Sequence, residues 1–251
     1  GIGCPNKCEF CLFRQLYSGK VMYRSHESVI KELEYIKNMG INSVLIVSDN
    51  FSINRSWVKE FCRQVIDSKL NMTFICNSRV DTINDMETIR LMKKAGFWLM
   101  SLGLESGNQG LLDHIHKGTT IKQIEETTAL LHQGGIMTLG YFIVGLPGET
   151  EETLQQTIDF AKRLPIDLAA FYINCPLPGT DMYEEIKTML EKKNQTWKVG
   201  WEGFDYFHNT HEYDIDLDKW DQKAFFSFYL HRPIRRFFRI IRLTGLSSLP
   251  A

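Results

Sequence analysis

Two apolar periods alternate along the chain. Short continuous apolar runs, bounded by polar turns, are separated by stretches in which apolar residues recur every three or four positions. Val29, Leu33 and Ile36 form one helical stripe that opens at an N-cap, Ser25, and stops at Gly40. Residues 43–48 follow as a buried strand, a run typical of a parallel strand covered on both faces. The next helix spans 55–68, with Val58, Cys62, Val65 and Ile66 inward, and after it come a strand over 72–79 and a helix over 85–96 ending at Gly96. Strands over 97–106, 137–145 and 168–175 alternate with helices over 121–132 and 149–164, and a further helix lies near 181–192.

The pattern predicts five strands, each followed by a helix, at a repeat of roughly 30 residues. Right-handed crossovers running in one direction curl such a sheet toward a barrel. The same periodicity is compatible with a doubly wound open sheet, but no G-x-G-x-x-G sits between a strand and a helix. In a barrel, functional residues should collect just after the C-terminal ends of the strands.

The character changes near the end, which predicts a core over 1–195 and a C-terminal extension over 196–251. Residues 197–222 are aromatic and acidic with no repeat unit, whereas 224–246 read as one apolar and basic helix. By helical spacing Arg232, Arg235, Arg236, Arg239 and Arg242 share one face, and Ile234, Phe237, Phe238 and Ile241 share another. The pattern is that of a terminal helix laid on the barrel with a solvated basic edge. Contact with a membrane surface or a partner is the competing reading.

Composition narrows the function classes. The 251 residues are 43% hydrophobic, enough for a full core, and the six cysteines are too few for a disulfide-stapled scaffold. A formal net charge of -1 gives no overall bias toward nucleic acid, and none is expected as a partner. There is no N-terminal charged and apolar signal segment, and no uninterrupted apolar run reaches about 18 residues. The expected setting is therefore a reducing, cytoplasmic one, with contact of the C-terminal helix at a membrane periphery as the variant.

Three of the cysteines, Cys4, Cys8 and Cys11, stand at CxxxCxxC spacing in "GCPNKCEFC". They can wrap a loop around one metal centre. A structural zinc site wants four closed Cys or His ligands, and the nearest histidine, His26, lies well downstream at a helix start. A [4Fe–4S] cluster also normally takes four cysteines, so three local thiols would leave one iron open. Of the other thiols, Cys62 and Cys76 fall on inward positions and read as packing. Cys175, at a strand end, is a candidate for the substrate side or for rim packing.

"CPNKCEFC", with Phe10 just before the third cysteine, resembles the cluster loop of radical SAM enzymes. The resemblance implies a [4Fe–4S] cluster on Cys4, Cys8 and Cys11, with S-adenosylmethionine (SAM) chelating the open iron and reductively cleaved to a 5′-deoxyadenosyl radical. It also implies cofactor-binding roles strand by strand. Asp49 and Asn50 in "SDN" stand where the family contacts the SAM amino group, although the usual Gly-Gly-Glu is absent; both residues also suit a helix cap. Arg79 in "NSRVD" suits bidentate pairing with the SAM carboxylate, and Glu105 in "GLESG" matches a position contacting methionine or ribose. Ile143, Gly145 and Glu149 in "YFIVGLPGE" resemble the adenine-binding segment, with Tyr141 in place of its first glycine.

The phrases "SLGLESGNQGLLDHIHKG", "FIVGLPGETEET" and "PLPGT" resemble the cobalamin-binding type, which includes anaerobic Mg-protoporphyrin ester cyclases and class B methylases. The resemblance implies an α/β fold, a partial TIM-type (β/α)6 barrel with a mainly helical C-terminal extension, whose first strand and cobalamin-binding domain would precede Gly1. The chain thus reads as a fragment, with cobalamin carried by no residue present. Methylation or oxidative cyclisation of an unactivated carbon is the implied reaction. A small molecule of tetrapyrrole, lipid or natural-product type is the implied substrate, and a flavodoxin or ferredoxin the electron donor. A tRNA methylthiotransferase, or a non-catalytic zinc or redox-cluster module docking on a partner, are the alternatives.

Overall fold

The structure, a computed structural model, describes residues 1–192 and 215–244. Helices α1 (Phe13–Tyr17) and α2 (His26–Asn38) precede β1 (Ser43–Ile46). There follow α3 (Arg55–Ser68), β2 (Thr73–Ser78), α4 (Met86–Ala95), β3 (Phe97–Glu105), α5 (Gln109–His114) and α6 (Ile121–Gln133). Then come β4 (Met137–Val144), α7 (Glu151–Arg163), β5 (Leu168–Ile173) and α8 (Asp181–Lys192), and last α9 (Leu217–Leu230) and α10 (Pro233–Thr244).

Polar residues between the elements start the helices. Ser25 Oγ accepts from the Ser28 N–H at α2, Asn54 Oδ1 from Trp57 at α3, and Asp85 Oδ1 from Thr88 at α4. Thr120 with Gln123 and Thr150 with Thr153 close reciprocal capping boxes on α6 and α7. Gly96 ends α4 at φ +108°, a conformation that costs glycine nothing, and there an added Cβ would lie 2.2 Å from the Met72 carbonyl oxygen.

The five strands pair in parallel in the order β1-β2-β3-β4-β5. A doubly wound sheet reverses its strand order part-way; this sheet never does, so it curls in one sense as part of a barrel. Phe74, Met100, Leu102, Phe142 and Phe171 on one face of the sheet are buried in the main core, together with Phe61 of α3. Alternate strand positions point to the other face. There Leu45 and Tyr172 are exposed, and the rings of Tyr141 and Tyr172 lie 5.8 Å apart.

The C-terminal region departs from the expected single helix over 224–246. The stretch up to 214, including the 195/196 boundary, lies outside the described residues, and its continuation is already α9. That helix buries Leu217, Trp220, Ala224 and Phe228, and Tyr229 Oη donates to the Ala169 carbonyl of β5 at 2.8 Å. The helical run then breaks before Pro233. Proline disfavours helical backbone at the residue preceding it, and Arg232 turns the chain at φ +53°.

The facing of α10 is also opposite to expectation. Two of its arginines point inward while Arg242 is exposed: Arg236 donates to the Phe228 and His231 carbonyls and stacks 3.7 Å over the Phe228 ring, and Arg239 Nε lies 2.5 Å from Asp167 Oδ1. Ile234, Phe237 and Phe238 are exposed instead. The cause is local: carbonyls at the C-terminal end of α9 and in the turn after it accept from the Arg236 guanidinium, and the buried carboxylate of Asp167 draws in Arg239. No helix among the described residues is long and apolar enough to cross a membrane.

Candidate functional site

The loop carrying Cys4, Cys8 and Cys11 is held at both ends by the sheet rim. After β1, Ser48 Oγ donates to the Gly1 carbonyl at 2.7 Å, and Asp49 Oδ2 accepts from the Gly3 N–H at 2.5 Å. Gly3 sits at φ +96°, and a Cβ there would lie 1.9 Å from the Lys20 carbonyl oxygen, so the loop closes only on glycine. Further along, the Glu9 N–H donates to Ile115 O at 3.1 Å and Glu9 O accepts from the Met182 N–H at 3.2 Å. The Cys11 N–H donates to Cys8 O at 3.2 Å.

Cys8 is buried, and Cys4 and Cys11 are half-buried, all three as free thiols. Burial pushes the Cys11 thiol up; a backbone donor at Phe13 opposes this, while Cys8 and Cys4 add to it. Asn6 Nδ2 donates to Cys4 Sγ at 3.1 Å and Arg79 Nη1 to Cys8 Sγ at 3.3 Å. Four thiolates around one zinc stand about 3.8 Å apart, given zinc–sulfur bonds of about 2.3 Å. Among the described residues, the one set of three His, Cys, Asp or Glu ligand atoms all within 4.8 Å of one another is Glu9, His114 and Glu185. The three thiols do not form such a set, and Cys8 and Cys4 lie close enough to Cys11 to act on it electrostatically.

Arg79 is the hub behind the loop. It follows β2 and is buried; Nε and Nη2 donate to the two carboxylate oxygens of Asp81 at 3.0 and 2.9 Å. Nη2 also donates to the Lys117 carbonyl at 2.6 Å. The fork expected to meet a ligand carboxylate is thus engaged by Asp81, and its remaining edge faces Cys8.

Glu105 closes β3 at φ +63°, beside a register shift against β4, which swings its side chain to the rim. Its Oε1 lies 2.6 Å from Lys117 Nζ; both side chains are buried, and the ammonium stands 5.6 Å from the centre of the Phe10 ring. Sequence reading missed Lys117. The signal was available in "DHIHKG", a lysine before a glycine that follows a short helix, but a lysine there ordinarily reads as surface.

After β4, Glu149 folds back on its own turn. Oε2 accepts from the Gly145 N–H at 2.5 Å and from the Leu146 N–H at 3.0 Å, which orders the backbone where Gly145 takes φ +89°. Burial pushes the Glu149 carboxyl up to about 7, against the downward pull of those two donors. Ile143 and Phe10 pack together on the small apolar cluster of Leu111, Ile115, Leu146 and Met182, which joins the cysteine loop to the end of β4.

Several buried polar atoms at this rim have no partner among the described residues. They are Asn50 Nδ2 after β1, Thr119 Oγ1, Glu149 Oε1 after β4 and Asn174 Nδ2 after β5. Such atoms are costly unless something polar meets them. Asn50 Oδ1 accepts from the Arg79 N–H at 3.4 Å and from Thr82 Oγ1 at 3.3 Å, fixing the amide. The cap of α3 is Asn54, so Asp49 and Asn50 do not spend their side chains on capping it. Asn174 was not foreseen either; it follows β5 directly, before the half-buried Cys175.

Fold and site define a partial parallel barrel that gathers three free thiols and unmet polar atoms at its C-terminal rim. The profile of the Radical SAM superfamily matches residues 1–161, and the chain belongs to that superfamily. Among curated relatives it is 31% identical, over 91% of this chain and 50% of the relative, to an uncharacterized methyltransferase of Pyrococcus horikoshii. It is 33% identical, over 75% of this chain and 34% of the relative, to the anaerobic magnesium-protoporphyrin IX monomethyl ester cyclase of Rubrivivax gelatinosus. The chain therefore spans half or less of these relatives. Of solved structures, the radical S-adenosylmethionine methyltransferase TsrM from Kitasatospora setae, with cobalamin and a [4Fe–4S] cluster bound, superimposes with a TM-score of 0.68 at 22% identity. That match covers 74% of this chain and 38% of TsrM and establishes the fold. A [4Fe–4S] cluster and SAM are the cofactors membership implies.

Proposed function

We propose that this chain is the SAM-cleaving core of an enzyme that methylates or oxidatively cyclises an unactivated carbon of a small molecule. One observation carries the reading: three neighbouring thiols, with Arg79 against Cys8, sit at a rim with unmet polar atoms from three strand ends. The cluster and SAM supply reductive cleavage to a 5′-deoxyadenosyl radical.

The chain's own residues hold and shape that site. Cys4, Cys8 and Cys11 are the three cluster ligands, and the Arg79 guanidinium donates to the Cys8 sulfur. Asn50 Nδ2 and Glu149 Oε1 are buried hydrogen-bonding points for SAM, beside the Gly145 turn whose backbone admits a flat ring closely. Phe10 and Ile143 wall the site, and Glu105 takes part as an ion pair with Lys117 rather than as a free carboxylate. Asp49 holds the loop through Gly3, so its contribution is to loop closure. By likeness to the cyclase and to TsrM, whose structure is also solved with tryptophan substrate bound, a tetrapyrrole or aromatic substrate and a cobalamin bound by another part of the protein are proposed.

Anaerobic reconstitution tests the reading. The expected result is about four irons and four sulfides per chain, with an electron paramagnetic resonance signal altered by SAM. The Cys8→Ala variant loses SAM cleavage and the Cys62→Ala variant retains it. One tightly held zinc with no response to SAM, or equal loss in both variants, overturns it.

A further inference from the structure

The inward-facing arginines of α10 enclose a cavity on the side of the fold away from the cysteine rim. It measures about 180 Å³ and lies between the end of α7, the start of β5 and α10. Lys162, Arg163, Arg232, Arg236 and Arg239 line it, and Asp167 is the one carboxylate in its wall among the described residues. Asp167 is already engaged: Oδ1 meets Arg239, and Oδ2 accepts from the Thr138 N–H at 2.9 Å. Lys162 and Arg163 reach Asp159 and Glu125, at 3.1 and 3.5 Å, along the outer surface. Among the described residues, neither Arg232 nor Arg236 makes an ion pair with a carboxylate, although Asp167 lies near enough to Arg236 to act on it electrostatically. Burial pushes the Arg236 guanidinium down and Arg232 adds to this, while Tyr229 and Asp167 pull the other way.

Beside this cavity the two C-terminal helices present large apolar side chains to solvent. Ile234, Phe237 and Phe238 of α10 are 70%, 57% and 64% exposed, and Phe225, Phe226 and Leu230 continue the exposure along the last turns of α9. An amphipathic helix on a protein surface ordinarily turns such a face inward. Here polar contacts hold α10 by its arginines and leave its apolar stripe outward.

We infer that α9 and α10 form a seat for an anionic phospholipid bilayer: the exposed phenylalanines enter the interface while the arginine-lined cavity takes a lipid phosphate. Charge selects this occupant. Arg232 and Arg242 are exposed beside the apolar stripe, and an anionic surface is attracted by both. A helix of 12 residues with this division of faces lies in the plane of an interface rather than across it.

Co-sedimentation of the full chain with vesicles tests the inference. Binding is expected to vesicles of phosphatidylcholine mixed with phosphatidylglycerol, and far less to phosphatidylcholine alone. Arg232→Gln, an exposed change, should lower the partition coefficient about fivefold, the equivalent of about 1 kcal/mol per basic residue near an anionic surface. The double variant Phe237→Ser with Phe238→Ser should lose binding while melting like wild type. A second readout is independent of that variant's folding: extra emission from Phe237→Trp should shift blue on anionic vesicles and be quenched by bromolipid. Absence of binding to anionic vesicles, binding by the double phenylalanine variant equal to wild type, or an unshifted Phe237→Trp overturns the inference. So does saturable binding of inorganic phosphate without vesicle binding, which would make the cavity a site for soluble anions.

Discussion

Glu149 gives a quantitative test of how the rim is built. Its carboxyl is buried and pushed up to about 7, with Oε2 on two backbone N–H groups and Oε1 unmet. In the unfolded chain the same group titrates near 4.5. Between those values the native state keeps a proton that the unfolded state has released. The contribution of Glu149 to stability is therefore largest below about pH 4.5, falls as pH rises toward about 7, and levels off above. Carried through in full, the difference between 4.5 and about 7 amounts to about 3 kcal/mol. In Glu149→Gln an amide oxygen still accepts from Gly145 and Leu146, but no charge has to be buried. Denaturant unfolding of both proteins across this range should give a stability difference that moves toward the variant by about 3 kcal/mol with rising pH. Parallel pH dependences would refute the assignment of this cost to Glu149.

Three further outcomes follow from contacts at the rim and in the core. In Gly103→Ala the new Cβ would lie 2.3 Å from Glu105 Oε1 and 2.8 Å from Lys117 Nζ, so the ends of both side chains must shift within the buried pair; denaturant unfolding should show a loss of about 1 kcal/mol. Arg79→Lys keeps the charge but cannot span Asp81, Cys8 and the Lys117 carbonyl together, and about 2 kcal/mol should disappear by the same measurement. In the cluster-free chain, iodoacetamide under native, mildly alkaline conditions should label the half-buried Cys4, Cys11 and Cys175 but not Cys62 and Cys76. Burial holds the Cys62 thiol up at about 12 and Cys76 higher still, so mass spectrometry should find those two labelled only after unfolding.

Strand and helix order was legible because each element carries its own period and its own cap: the stripes of α2 and α3 and the runs of β1 to β5 stand where pattern places them. The cysteine loop was legible for the same reason, since its spacing is local. What escaped the sequence depends on partners distant in the chain. That Asp81 and Cys8 divide the Arg79 guanidinium could not be read from "NSRVD", because Cys8 arrives from the opposite end of the fold. Lys117 becomes part of the site only through the turn that Glu105 makes at the rim. The facing of α10 is decided by Asp167 and the carbonyls of α9, and a helical wheel holds neither. The break before Pro233 could have been foreseen from the proline alone.

The chain-ordered sheet bears on how the protein is made. Every strand pairs with its immediate predecessor, through pairings such as Phe74 with Phe97 and Leu99 with Met137, so no strand waits for a distant segment. Each closure spans a loop of modest length, and its entropic cost grows only slowly with loop size. The sheet can therefore lengthen one strand at a time from β1 as the chain leaves the ribosome. Its polar rim then forms in the same sequence, with the grip of Ser48 and Asp49 on the cysteine loop available before Glu149 has been synthesised.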